Sequence, residues 1–267
     1  MTDTITIATV HDNVSETDCA SFLSDYGATL FKAGCTCIRL EKNVTRIAAA
    51  WGKKVEVFIM PRHLHLSISD REGNRPAVCT VANISGGCAD FSRITSLSKM
   101  SWDIADGKMT YADARQQLDS ITGSCGAANR WLPLEVGAAN AAFCRLFGGD
   151  AVAMALVFAA TFVGIALKHR LLSRHTDIRL VMMACAFVSA VLASAGTLFG
   201  LGDTPEVAVA TSVLYLVPGI PLINSFSDML DGHYICSFGR MMGALVLTAS
   251  LSVGLCAALA VMNIGMF

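Results

Sequence analysis

The stretch Leu216-Val217-Pro218-Gly219-Ile220-Pro221-Leu222-Ile223-Asn224-Ser225-Phe226-Ser227-Asp228-Met229-Leu230-Asp231-Gly232 decides how this chain is read. It is apolar enough for a bilayer, yet Pro218 and Pro221 each remove a backbone donor and clash with the preceding turn, while Gly219 permits unusual backbone angles. Carbonyls freed by such a break cannot face lipid, so the interruption belongs against protein or a watered cavity. A half-helix beginning near Pro221 would aim its positive end and free N–H groups at the midplane, a ready site for a carboxylate. Asn224 lies one turn further on and Asp228 one turn beyond that, on the same face. Asn224 can donate and accept; Asp228 can carry a coupling proton or pair a substrate amine. The same residues also fit a proline kink that only shapes packing. Asp231, beside loop-like Gly232-His233, reads as solvated.

The composition around this stretch is that of a membrane protein with a soluble part. The 267 residues are 54% hydrophobic and 15% charged, with a mean hydropathy of +0.54, where soluble domains carry about 25% charged residues. Residues 1–131 hold 14 Lys+Arg and 14 Asp+Glu, whereas the 136 residues 132–267 hold only 6 and 7. The first part therefore reads as a small soluble domain and the second as a membrane domain. A net charge of −1 argues against a nucleic-acid partner. Of ten cysteines, Cys144, Cys185, Cys236 and Cys256 lie in or beside apolar stretches, where a thiol behaves as a small hydrophobe. Cys35-Thr36-Cys37 is a lone CxC without a second ligand pair. All ten read as reduced thiols in a chain whose soluble part faces a reducing compartment. Residues 1–12 do not form a secretory signal.

In the soluble part, residues 15–51 show helical spacing and break near Gly34. Strand-like runs follow at 55–60, 63–69 and 77–82, with a turn over 70–74. A helix is expected over 91–106 and another from a capping box at Thr110…Asp113 to Ile121, with a linker over 120–130. The order ααβββαα implies a small α+β domain with an antiparallel sheet. Crossing a ~30 Å hydrocarbon layer takes ~20 mostly apolar residues. Five spans are expected, at about 133–147, 151–167, 180–201, 207–230 and 241–262, packed closely through Gly137, Gly164, Gly243 and Gly254. Lys168, Arg170, Arg174 and Arg179 crowd one loop and Arg240 lies before the last span. The positive-inside rule then makes these loops and residues 1–130 cytoplasmic and places the C-terminus outside.

The expected first span carries Glu135, Asn140 and Arg145. Such groups within a bundle face a cavity and mark a pathway, with Glu135 a candidate proton carrier and Arg145 a candidate attractor of anions; Glu135 and Arg145 equally suit snorkelling to the two interfaces. His63 and His65 share one face of a strand, but no neighbouring ligand completes a metal set. Arg39, Glu41 and Lys42 read as a structural charge cluster. Neither a nucleophile elbow nor a Walker A sequence is present, so no metal, cofactor or catalytic group is expected.

These landmarks resemble the threonine/serine exporter family, in its N-terminal-half type, over about residues 22–261. They are Gly34…Arg39-Leu40-Glu41, Val55-Glu56-Val57-Phe58 with Pro61, Leu146-Phe147-Gly148-Gly149, and above all Val217-Pro218-Gly219-Ile220-Pro221…Asn224…Asp228. The resemblance implies a bacterial inner-membrane exporter of small hydrophilic metabolites, coupled to the proton gradient. Single-chain members carry further spans after the fifth, so this chain is expected to be the larger subunit of a split, oligomeric exporter. Its partner would be a small membrane subunit, and its cargo threonine, serine or a dicarboxylate such as succinate. Translocation would involve Pro218, Gly219, Pro221, Asn224, Asp228, Asn140 and Arg145, with Asp228 or Glu135 moving the proton. The competing readings are a membrane-anchored enzyme and a sensor whose cytosolic domain carries the activity.

Overall fold

A computed structural model describes residues 14–70, 77–84, 86–87, 89–123 and 131–263. The turn expected over 70–74, most of the linker over 120–130 and the C-terminal residues 264–267 therefore lie wholly or largely outside the described residues. The chain forms two compact units: Met1–Ala127 with Ile220–Met241, and Ala128–Gly219 with Met242–Phe267. Ile220–Met241, read from sequence as part of the membrane half, clusters with the N-terminal residues.

The first unit begins with helices α1 (Glu16–Lys32) and α2 (Cys37–Ala50). Ser15 caps α1 by accepting the Asp18 N–H at 3.1 Å, relieving one of the orphan donors of the first turn. The apolar face of α1 buries Phe22, Leu23, Tyr26 and Leu30. Gly27 lets this face lie against the sheet, because a Cβ there would collide with Leu64. The sheet is antiparallel in the order β1 (Lys53–Ile59), β2 (His63–Asp70), β3 (Val78–Asn83), as the alternating runs predict. Phe58 pairs His65, which pairs Val81, so one face carries Leu64, Leu66 and Ile68 into the core while His63 and His65 occupy the other. Helices α3 (Phe91–Ala105) and α4 (Tyr111–Gly123) complete the layer. The capping box is reciprocal: Thr110 N–H donates to Asp113 Oδ2 and Asp113 N–H to Thr110 Oγ1, both at 3.3 Å.

The second unit contains α5 (Leu132–Leu146), α6 (Ala151–Leu172), α7 (Ile178–Ala193), α8 (Ala195–Phe199), α9 (Pro205–Ser212), a 3-10 turn at Leu214–Leu216, and the later part of α11 (Tyr234–Val261). Its interior is polar at chosen points. Asn140 Nδ2 donates to Thr161 Oγ1 at 2.7 Å and to the Thr211 carbonyl at 3.1 Å, and the Ser189 and Tyr215 hydroxyls lie 3.0 Å apart. Gly164 makes room for that contact, since a Cβ there would meet the Tyr215 hydroxyl. Asp150 caps α6 through Ala153 N–H at 2.8 Å. The hydrogen bonds from Ala153 and Asp203 N–H hold its carboxyl below the ordinary carboxylate range.

Among the described residues, three stretches are long and apolar enough to cross a membrane: Ala151–Leu172, Ile178–Phe199 and Tyr234–Val261. A fourth arises if α9 with its 3-10 turn is counted together with α10 (Gly219–Leu230), two segments bent by 61° at Val217-Pro218. The expected break at the prolines is therefore present. The half-helix starts at Gly219 rather than near Pro221, because Pro221 in the first turn has no intrahelical N–H bond to lose. The expected first span is α5, whose 15 residues reach about 22 Å at 1.5 Å per residue. The last helix starts at Tyr234 rather than at residue 241.

Candidate functional site

The candidate site lies within the first unit, where α1 turns into α2. Gly34 makes the turn at φ +86°, a left-handed conformation that favours glycine, with the Ala89 backbone close by. The connector exposes backbone groups that neither helix satisfies. Thr36 is the N-cap of α2, yet its side chain makes no capping bond and the first turn holds no acid.

Side chains from α10 and α11 supply what the connector lacks. Asp228 Oδ1 accepts the Cys37 N–H at 2.7 Å, so the carboxylate caps α2 from a distant part of the chain and sits at the positive end of its dipole. Asn224 Nδ2 donates to the Gly34 carbonyl at 2.7 Å, and Arg240 Nη2 to the Cys35 carbonyl at 2.8 Å. Arg240 Nη1 lies 3.2 Å from Asp228 Oδ2, and its guanidinium carbon stands 4.6 Å from the Phe31 ring centroid. Asp228 is fully buried and the Arg240 side chain is 14% exposed, so each charge depends on the other. Ser225 and Ser237 lock α10 to α11 by donating to one another's carbonyls at 3.0 and 2.7 Å, and His233 Nε2 stands 3.4 Å from Glu41 Oε2.

The same knot holds two thiols. Cys37 and Cys236 are buried, and their hydrogen bond, followed by burial, pushes the Cys37 thiol well above the ordinary range. Their sulfurs and an Asp228 oxygen all lie within 4.8 Å of one another.

Of the sequence-predicted residues, Asn224 and Asp228 meet here, on the shared face their spacing requires. Pro218 stands in the break before α10, Gly219 opens that helix, and Pro221 stands in its first turn. Asn140, Arg145 and Glu135 belong to the second unit. There Asn140 is buried, whereas Arg145 is exposed and donates to the Gly149 carbonyl at 3.1 Å; Glu135 is exposed in the first turn of α5. His63 and His65, at the open sheet face, have ring centroids 6.5 Å apart. The sequence reading missed Arg240, taken only as a loop charge, and the pairing of Cys37 with Cys236. A signal was available: Cys236, Ser237 and Arg240 recur at helical spacing near the start of a largely apolar helix.

Long apolar helices, one pair of them broken at Pro218, are those of a membrane protein. The family described as "Putative threonine/serine exporter" matches residues 21–262, and the chain belongs to that family. It is 35% identical over 136 residues to the "Probable succinate transporter subunit YjjP" of Escherichia coli strain K12, covering 49% of this chain and 52% of that protein. The protein of the same name from Klebsiella aerogenes is 35% identical over 129 residues, or 47% and 49% of the two chains. A "Probable threonine/serine exporter" of Mycobacterium tuberculosis is 29% identical over 184 residues, covering 67% of this chain and 34% of that protein. The chain thus spans about half the length of the first two relatives and a third of the last. No solved structure matches.

Proposed function

We propose that this chain is the larger subunit of a two-component exporter of small carboxylates in the bacterial inner membrane. The relatives' names supply the two cargo classes, succinate and threonine or serine; what these share is a carboxylate group on a small hydrophilic body. The word "subunit" in the name of the Escherichia coli relative supports a separate partner, here read as a small membrane protein with which the chain forms an oligomer. Residues 1–130 are assigned to the cytoplasm and the C-terminus to the outside by the basic loop at 168–179. Five spans require α5 to cross the bilayer together with the broken stretch Pro205–Leu230 and the three long apolar stretches.

One observation carries the mechanism: Asn224, Asp228 and Arg240 clasp the Gly34–Cys37 connector. The clasp fixes the half-helix that follows the Pro218–Pro221 break to the domain that meets cytoplasmic solute. Cargo is bound by the backbone groups freed at Pro218 and Gly219, with Asn140 as a polar contact and Arg145 as the outer attractor. Movement of α10 relative to its connector opens and closes that path. The proton is assigned to Glu135, an exposed carboxylate in the first turn of α5.

Vesicles containing the chain and its small partner, loaded with radiolabelled succinate, threonine or serine, test this reading. Efflux driven by an imposed pH gradient is expected, and Glu135→Gln is expected to abolish the response to that gradient. Equal efflux from vesicles lacking the chain would refute it.

A further inference from the structure

We infer that Cys37, Cys236 and Asp228 form a binding site for a thiophilic divalent cation of the zinc class, independent of the cargo and direction of transport. Three elements deliver the ligands: Cys37 opens α2, Asp228 stands on the third turn of α10, and Cys236 lies in the first turn of α11. Their sulfurs and a carboxylate oxygen fall within 4.8 Å of one another, and all three residues are buried. Zn–S bonds of about 2.3 Å in a tetrahedral site place two sulfurs roughly 3.8 Å apart, a separation within the span of this group.

A second feature points to a ligand. Asp228 Oδ2, fully buried, has no hydrogen-bond partner among the described residues, although Oδ1 is satisfied by Cys37 N–H. Buried carboxylate oxygens are rarely left so. Arg240 Nη1, 3.2 Å away, is also without a hydrogen bond; it neutralises the carboxylate without saturating it. The charge balance accommodates a divalent ion despite that guanidinium. Without metal, two neutral thiols accompany the Asp228–Arg240 pair and the group is neutral. A divalent ion binding two thiolates displaces two protons to solvent, and the sum remains zero. Two sulfurs and one oxygen select zinc or cadmium over calcium or magnesium, which prefer oxygen ligands. Three protein ligands leave a fourth position for water or a small anion. Bound metal would join α2, α10 and α11 at one point and so lock the clasp.

The test uses the full chain in detergent, purified with a tag lacking histidine, reduced and freed of metal by chelation. Equilibrium dialysis against micromolar Zn2+ is expected to leave one zinc per chain, and X-ray absorption to show two sulfur ligands at about 2.3 Å. Loss of a supporting outer-shell partner weakens metal sites by 10–100-fold, so Cys37→Ser or Cys236→Ser, which remove a direct ligand, are expected to weaken binding by more than about a hundredfold. Cys144→Ser, in the other unit, is expected to leave affinity unchanged. Failure of the wild-type chain to retain zinc, or bound zinc without sulfur ligands, would overturn the inference whether or not the variants fold. So would a sulfur shell that survives in the double variant Cys37→Ser/Cys236→Ser.

Discussion

Asp228 caps the helix that begins at Cys37: 191 residues separate them along the chain, and 2.7 Å separates carboxylate from amide nitrogen. A polar contact of that sequence separation, fully buried, ties together the N-terminal fold and the half-helix after the proline break.

Asp228→Asn keeps an amide oxygen for Cys37 N–H but leaves Arg240 without its counter-charge. Breaking a buried ion pair from one side costs about 3–5 kcal/mol, and thermal unfolding of the detergent-solubilised chain is expected to show a loss of that order. Combining Asp228→Asn with Arg240→Met is expected to cost less than the sum of the two single losses, with a coupling of about 0.5–3 kcal/mol. Additive losses would mean that the two residues do not act as a pair.

Gly34→Ala places a side chain in a left-handed conformation, with the Ala89 Cα 3.3 Å from the new Cβ. The conformation alone costs about 1–2 kcal/mol. Unfolding should therefore shift down by at least this amount, whereas Gly107→Ala, also left-handed but with nothing within 4 Å, should pay only the conformational cost.

Asn140→Leu removes the donor shared by Thr161 and the Thr211 carbonyl. Interhelical hydrogen bonds in membranes average about 0.6 kcal/mol and reach about 1.7. The loss should fall in that range by unfolding in mixed detergent, while the N-terminal unit keeps its own protease resistance.

Burial pushes the Cys19 thiol up to about 12 from an ordinary 9. Because the folded chain holds this proton more tightly than the unfolded one, the associated stability is complete below pH 9 and is lost as pH rises from about 9 toward 12. Cys19→Ala should flatten the alkaline part of a stability–pH curve. At neutral pH, alkylation followed by mass spectrometry should label exposed Cys79 well before Cys19.

Much of the first unit was legible because its signals are local. The Thr110–Asp113 box, the break at Gly34 and the alternation of 63–69 each depend on a few neighbouring residues. The Pro218 break was legible for the same reason: proline acts on its own turn. What Asn224 and Asp228 touch was not, since the connector they hold lies 190 and 191 residues away and its unsatisfied groups exist only once Gly34 has turned the chain. Arg240 was read from its charge alone, although α11 begins at Tyr234 and places it on a helix face with Cys236 and Ser237. The interruption at Ser194 has no proline to mark it; there the hydroxyl bonds back to the Ala190 carbonyl at 2.7 Å, a local competition with the helix. Cys37 belonged to an isolated CxC by sequence, and only folding brings Cys236 beside it.

Efflux by the Asp228→Asn chain tests the central claim most directly. In vesicles holding the chain and its partner, with insertion and a monodisperse elution profile confirmed, release of preloaded succinate or threonine is predicted to fall at least tenfold below wild type. Release at the wild-type rate from a correctly inserted Asp228→Asn chain would contradict the account.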